Sequence, residues 1–305
     1  MGNARTFLIN WVLARQNGWR VLLRMDDLEG PRIKTGADVE AIEDLQWLGL
    51  HWEEPIIRQS QRTAAYEDAL PTLIDGGHVY PCVCTRSEIA AAAGGRVEAD
   101  QSVFYPGTCR GRFTTAAEAQ RATGRPAALR FKVPDRELAL QDGFLGRQSA
   151  AGQRDLGDFV VQKSDGEFGY HLANVVDDAW AGITHVVRGQ DLLASAPRQM
   201  LVYEALGLAA KIPAYTHLPL VVGRDGLKLA KRHGDTRLRQ LREEGVAAGQ
   251  IRRLLAIWSG WTPARSEASI DEWIDRFHLQ GLPHEPVYYD DASKRPTVRQ
   301  GQGPA

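Results

Sequence analysis

The chain has 305 residues, 43% of them hydrophobic and 25% charged, which fits a soluble globular protein of one large or two modest domains. Near-average glycine and proline usage excludes collagen-like and low-complexity classes. No apolar run approaches the roughly 20 residues that span a bilayer, and the start carries no signal-peptide pattern, so the expected compartment is the cytoplasm, with no membrane partner. Three cysteines, two of them at positions 82 and 84, argue against a disulfide framework and leave metal binding or free thiols. A formal charge of −1 excludes a uniformly basic nucleic-acid coat, though not a local one.

In chain order, Ala4, Phe7, Leu8, Trp11 and Ala14 recur at helical spacing, with Asn3 as the expected N-cap and Gly18 as the stop. Trp19 to Met25 reads as a buried strand, and Val39, Ile42, Leu45 and Leu48 as a helix behind Thr35. Tyr66, Ala69, Leu70, Leu73 and Ile74 form a second helical face that ends at Gly76-Gly77. This α/β rhythm predicts a parallel sheet. Between His78 and Pro134 the rhythm breaks: short strands near Val79-Tyr80 and Leu129-Val133 flank an insertion whose two helices carry capping boxes, Thr85 with Glu88 and Thr115 with Glu118. Strand and helix signals resume from Asp158 to Gly207, with Asp165-Gly166 as a hairpin turn and Ser195 as a helix cap. From about Asp235 the pattern is helical only, and from Asp291 it is almost free of apolar residues, which predicts a disordered tail. The expected organisation is therefore residues 1–77 and 135–234 as two halves of an α/β domain, 78–134 as the insertion, 235–290 as a small helical domain and 291–305 as the tail.

Charge is unevenly placed. Asp26 to Glu54 holds nine acidic residues against two basic ones, a net of −7, whereas Arg224 to Arg253 holds nine basic against four acidic, a net of +5. Two solvated helix faces are the plain reading, and a phosphate-rich partner meeting the basic stretch is the sharper one.

Four features can carry chemistry. Gly2 and Asn3 open a helix whose N-terminal amides suit phosphate, a weak signal alone. Lys228 and Lys231, three apart after an Asp225-Gly226 turn and followed by Arg232, can bracket a polyphosphate, or form an ordinary basic loop. Cys82, Cys84 and Cys109 supply three thiols, with Tyr105 an unusual fourth ligand for zinc; unconnected free thiols weigh equally on spacing alone. Tyr170, Asn174 and Asp178 share one face if their segment is helical. Arg188 ends a predicted strand, where open α/β sheets place ligands and an arginine can hold a carboxylate bidentately; a satisfied hydrogen-bond network is the alternative.

Together these segments resemble the catalytic core of the class I glutamyl-tRNA synthetases, and within them the short glutamyl-queuosine tRNA(Asp) synthetase branch. Gly2-Asn3-Ala4-Arg5-Thr6-Phe7-Leu8 resembles the tail of the "HIGH" motif, and Leu23 to Arg32 the strand and acidic loop after it. Tyr80 to Arg86 with Tyr105 to Arg110 is similar to the short branch's zinc insertion. Tyr170 to Asp178 and Arg188-Gly189-Gln190-Asp191 are similar to the amino-acid pocket, and Lys228 to Arg232 to the "KMSKS" loop.

The resemblance implies a Rossmann-like catalytic domain with a zinc-binding insertion and a small C-terminal helical domain, acting as a monomer. It implies an ATP-dependent ligase that uses ATP with Mg2+ to activate glutamate without tRNA, then passes it to the queuosine base of tRNA(Asp). By the same resemblance Asp26, Tyr170, Asn174 and Arg188 bind glutamate, Gly2, Asn3 and Lys231 bind ATP, and Lys228 and Lys231 act in catalysis. The resemblance further implies that Cys82, Cys84, Tyr105 and Cys109 hold one structural Zn2+. Asp26 stands where the family usually has glutamate, and Ala230 replaces the usual serine. The motif's histidine and the strand before it do not precede Gly2, which leads to the expectation of a first strand missing through a misplaced start. Two other readings stay open: a truncated glutamyl-tRNA synthetase charging tRNA(Glu), and a non-catalytic RNA-binding relic.

Overall fold

A computed structural model describes residues 1–29, 34–97, 103–229 and 237–289. Helix α1 (Gly2–Gln16) buries Leu8, Ile9 and Val12 completely and ends as the chain turns through Gly18 at φ +67°, a conformation that favours glycine. Its N-cap is Met1, without a side-chain bond, and not Asn3: the Met1 carbonyl already accepts the Arg5 amide, so the helix starts earlier than the polar residue suggests. Strand β1 (Leu22–Met25) is shorter than expected and only half-buried. Helix α2 (Ala37–Trp47), entered through Gly36 and not Thr35, crosses over to β2 (Glu53–Arg58), which runs parallel to β1 with Arg24 opposite Ile57. Helix α3 (Thr63–Asp75) stops at Gly76, as its sequence predicts.

Strand β3 (Val79–Cys82), helices α4 (Arg86–Ala93) and α5 (Ala116–Thr123), and strand β4 (Ala128–Phe131) follow. Thr85 and Glu88 form a complete capping box. Thr115 caps α5, but the Glu118 carboxylate takes the Thr114 amide instead, so that box is half made. A hairpin of β5 (Leu138–Asp142) and β6 (Gly146–Ala150), then α6 (Gln153–Leu156), lead to β7 (Phe159–Gln162), which joins β3 and β4 in an antiparallel sheet of order β3-β4-β7.

Helix α7 (Tyr170–Ala181), strand β8 (His185–Gly189), helix α8 (Ser195–Ala205) and strand β9 (Ala214–Leu218) form a second parallel unit, with Arg188 and His217 as register partners. Ser195 is the first residue of α8 and not its cap, because the helix is entered from Ala194 already in helical geometry. After β10 (Val221–Val222) come α9 (Leu238–Glu243), α10 (Ala248–Trp258) and α11 (Ile270–Arg276). The C-terminal part is not helical throughout: β11 (Val287–Tyr288) adds to β10 in parallel and tucks Val287 into the core. Among the described residues, parallel pairing is confined to β1-β2, β8-β9 and β10-β11, as separate pairs. No helix of these residues is long and apolar enough to cross a membrane. The tail expected to be disordered lies outside them.

Two large cores hold most of the elements, with smaller clusters in the insertion and around Tyr215. Leu8, Ile9 and Val12 of α1 pack with Val187, Leu218, Leu255, Trp258, Trp273 and Phe277, so α10 and α11 share one core with α1. Each large apolar side chain buried there contributes about 2 kcal/mol relative to exposure. Tyr66, Leu73, Phe131, Phe159, Leu172, Val175 and Leu201 form the second core, on which α7 rests.

Candidate active site

Helix α7 starts hard against β7: a side chain at Gly169 would meet the Val160 carbonyl at 2.3 Å, so glycine is required there. With α7 helical, Tyr170, Asn174 and Asp178 do share a face. They meet β1 through Arg24, whose Nε donates to Asp26 (2.8 Å) and Nη2 to the Asn174 side-chain oxygen (2.8 Å), while Nη1 pairs with Asp178. Behind them Asp177, fully buried, accepts from Gln59 (3.1 Å), Arg62 (2.6 Å) and the Tyr66 hydroxyl (2.8 Å). The Asn174 oxygen also accepts from Gln59 (3.2 Å), so any role of this residue toward a ligand falls to its amide nitrogen.

The charges here do not balance. Asp26, Asp177 and Asp178 are three carboxylates against the two guanidinium groups of Arg24 and Arg62. Arg24 is held above its ordinary range, since Asp178 and Asp26 outweigh its burial. Asp178 is nevertheless raised: burial leads, and Asp26 and Asp177 add to it against Arg24. Burial is thus the leading cause of the shift at Asp178, with the neighbouring carboxylates adding to it.

Arg188 is the reverse. Its Nε donates to His217 Nε2 (3.0 Å), its Nη1 to Gln199 Oε1 (3.0 Å), and the guanidinium stands 5.2 Å from the centre of the Tyr215 ring. Among the described residues no carboxylate pairs with it, and Nη2 is buried without a partner there. Tyr170 lies between the two unbalanced groups. Although 39% of the residue is exposed, enclosure of its hydroxyl end pushes the phenol up; Arg188 and Arg24 oppose this, and Asp26 and Asp178 add to it.

The motif after β8 also reaches the basic loop. Asp191 accepts from Lys228 Nζ at 2.5 Å, and a side chain at Gly189 would strike the Asp191 carboxylate at 2.5 Å. Helix α1 abuts the same region, since a Cβ at Gly2 would stand 3.7 Å from Val221 on β10. Asn3 lies exposed in the first turn of α1. Ala230, Lys231 and Arg232 lie outside the described residues.

The basic stretch does not stand free as a phosphate-facing surface along its length. Arg239 pairs with Glu40 (2.6 Å) and Arg242 with Glu43 (2.9 Å), while Arg252 donates to the Leu48 carbonyl (3.1 Å). Two arginines of α9 thus pair with the acidic α2.

Across the insertion, the sulfurs of Cys82, Cys84 and Cys109 lie within 4.8 Å of one another, all free thiols. Cys82 donates to the Tyr105 hydroxyl (3.2 Å), which also accepts from the Cys109 amide (2.8 Å). Thiolates 2.3 Å from a tetrahedral zinc stand about 3.8 Å apart, so these sulfurs fit that ion with little movement. Burial, with the Cys109 contact, pushes the Cys84 thiol up to about 12. Burial also opposes ionisation of Cys109, but hydrogen bonds from Val83, Cys84, Tyr105 and Cys82 hold it below the ordinary thiol range. Asp158 anchors the ligand loop, accepting from Tyr80 (2.5 Å), Arg110 (3.0 Å) and the Val133 amide (2.9 Å).

A family model described as tRNA synthetases class I (E and Q), catalytic domain, matches residues 1–291. The chain belongs to this family. Among its relatives is the Glutamyl-Q tRNA(Asp) synthetase of Symbiobacterium thermophilum, 42% identical over 299 residues that cover 94% of this chain and 91% of that one. The Glutamate--tRNA ligase of Aquifex aeolicus is 37% identical over 95% of this chain but only 61% of its own length. A solved glutamate tRNA ligase from Elizabethkingia meningosepticum, in complex with its amino acid, superposes with a TM-score of 0.77 at 29% identity, covering 96% of this chain and 65% of that one. This chain thus spans somewhat under two thirds of that solved ligase. The α/β class I synthetase catalytic fold inferred from the motifs is the fold found.

Sequence reasoning missed Gln59, Asp142, Gln199 and His217. Arg24 lies inside the Leu23 to Arg32 segment but carried no role there; it was within reach as a cation two residues before Asp26. Asp142 and His217 are 75 residues apart and carried no local signal.

Proposed function

We propose that the protein activates glutamate with ATP, in the absence of tRNA, to glutamyl-adenylate and transfers the glutamyl group to the queuosine base of tRNA(Asp). The observation that carries this reading is the pair of unbalanced charges in one pocket. The carboxylate excess around Asp26 suits an α-ammonium, and Arg188, unneutralised and with a buried free N–H edge, suits a side-chain carboxylate. Held at both ends, glutamate leaves its α-carboxylate free to attack the α-phosphate of ATP, with pyrophosphate leaving. The side chains do no covalent work in that step; they orient the substrate and stabilise charge.

Lys228, with Lys231 beyond it, lies against the triphosphate as negative charge moves onto the departing pyrophosphate, and the N-terminus of α1 at Gly2 and Asn3 serves the nucleotide, which enters with Mg2+. Lys228 must release Asp191 to do so. Cys82, Cys84, Cys109 and Tyr105 hold a structural zinc, which ties β3 to the 105–109 loop; the converging sulfurs support this assignment. Purified protein is expected to carry about one zinc per chain, and Cys109→Ser to lose it together with melting temperature; metal-free protein of unchanged stability contradicts the assignment.

The choice of tRNA rests on the relatives named Glutamyl-Q tRNA(Asp) synthetase, of which the chain covers nine tenths or more. Transfer of labelled glutamate to queuosine-containing tRNA(Asp), and not to tRNA(Glu), is the expected result. Charging of tRNA(Glu) alone overturns it.

A further inference from the structure

Arg188 is unusual in how it is held. A guanidinium has five N–H donors and no acceptor, so the 3.0 Å contact with His217 requires the imidazole Nε2 to be unprotonated. The ring proton then sits on Nδ1, which faces Asp142 Oδ2 at 2.6 Å. His217 and Asp142 are both fully buried at their side chains. Asp142 is held below its ordinary range: burial opposes ionisation, and the His217 side chain with the amides of Leu145, Phe144 and His217 overrides it. The strands impose the arrangement, since Arg188 and His217 are direct register partners on β8 and β9, and the Gly143 amide donates to the Tyr215 carbonyl at 2.8 Å, seating the β5-β6 turn against β9.

The chemistry of this chain is specific. A carboxylate placed directly on Arg188 would orient it but also neutralise it, and the pocket would lose its attraction for an anionic side chain. A neutral imidazole, polarised from behind by a buried carboxylate, fixes the guanidinium and leaves its charge uncancelled by direct contact. Gln199 does the same on the other edge, again with a neutral acceptor. We propose that His217, set in its Nδ1–H tautomer by Asp142, is the positioning residue that aims the free edge of Arg188 at the substrate's side-chain carboxylate, and thereby sets the preference for glutamate over glutamine. This rests on the reading of the pocket as a glutamate site.

Two isosteric substitutions separate orientation from folding. His217→Asn keeps a donor where Nδ1 meets Asp142 but supplies nothing at the Nε2 position, whereas His217→Gln can reach it. Asp142 keeps three backbone amide donors in either variant, from Phe144, Leu145 and residue 217. The test is ATP–pyrophosphate exchange driven by glutamate or by glutamine, with KM measured for each amino acid and for ATP. Wild-type protein supports glutamate-dependent exchange. In His217→Asn the glutamate KM rises about tenfold or more, as expected when a buried charged group loses its support. The glutamate-over-glutamine ratio narrows by a similar factor while the ATP KM holds, and His217→Gln recovers most of the loss. A His217→Asn protein with unchanged glutamate KM and unchanged discrimination overturns the proposal. So does a parallel rise in the KM of ATP and glutamate, or a His217→Gln protein no better than His217→Asn. If wild-type protein itself gives no glutamate-dependent exchange, the glutamate reading fails at that step and the role of His217 falls with it.

Discussion

The pocket around Arg24 and Arg188 and the contact between α2 and α9 are built from the same residue types, arginine against aspartate and glutamate, and do opposite things. At α2-α9 every named charge has a partner, and the pairs are partly solvated: Arg239 is 45% and Glu40 26% exposed. In the pocket Asp177 is fully buried and Asp178 15% exposed, and the sums are left unequal, with excess negative charge at one end and Arg188, paired with no described carboxylate, at the other. Solvated pairs are screened and worth little, whereas enclosed, unequal ones are costly to keep and attract a complementary ligand. Charge density along the sequence therefore marks only part of the site. Helices α2 and α9 pair some charges of the net −7 and +5 stretches with each other, while Asp26 and Lys228, which lie in those stretches, stand with Arg24, Asp178 and Asp191 from elsewhere in the chain.

This contrast breaks most visibly at Arg24. Arg24→Met strands Asp178 and Asn174 in an enclosed site, and a loss of about 3 kcal/mol is expected in denaturant unfolding, with glutamate binding lost as well. A change within the error of the measurement would mean that the pocket charges are as solvated as those of α9. Next comes Arg188→Leu, which breaks no ion pair among the described residues but leaves the buried His217 Nε2 and Gln199 Oε1 without their donor. Exchange activity with glutamate should fall about a hundredfold in kcat/KM, with a loss of stability of about 1–3 kcal/mol. A loss of stability with activity retained would reassign Arg188 to structure.

Acid titration sharpens the comparison through its sign. Glu40 titrates below its ordinary range, first through the hydrogen bond from Lys34 and then through the charges of Lys34 and Arg239. Its contribution is present above the unfolded value of 4.5 and is lost as pH falls through the lowered folded value. Asp178 titrates above its ordinary 3.8, chiefly from burial, so the native state binds more protons than the unfolded one just above 3.8, and its contribution declines as pH rises through that window. Carboxyl-resolved NMR should show the two groups displaced in opposite directions; displacement of both downward would mean that Asp178 is not held in an enclosed site. The smallest effect belongs to the surface: Arg239→Ala, or added salt, should move the melting temperature by no more than about 2 °C.

Much of the fold was legible because its signals are local. The periodicity of α1, α3, α7 and α10 and the stops at Gly18 and Gly76 depend on neighbours in sequence. The misassigned caps, Asn3, Thr35 and Ser195, failed for one reason: a suitable side chain was present, but the preceding backbone decided where the helix began. Tyr170, Asn174 and Asp178 were legible as one face because helical spacing puts them in known relation, and Arg188 because it ends a strand. The cysteines were legible as a candidate cluster by their residue type and spacing. His217 and Asp142 could not be, since their roles come from β9 pairing with β8 and from a turn packed behind it.

Calorimetric titration with glutamate, glutamine and glutarate tests, without any tRNA, whether two unequal charges recognise one amino acid by both of its ends. Glutamate should bind, and glutamine, which lacks the side-chain carboxylate, and glutarate, which lacks the ammonium, should each bind about tenfold more weakly or worse. Glutamine or glutarate binding as tightly as glutamate would contradict the account.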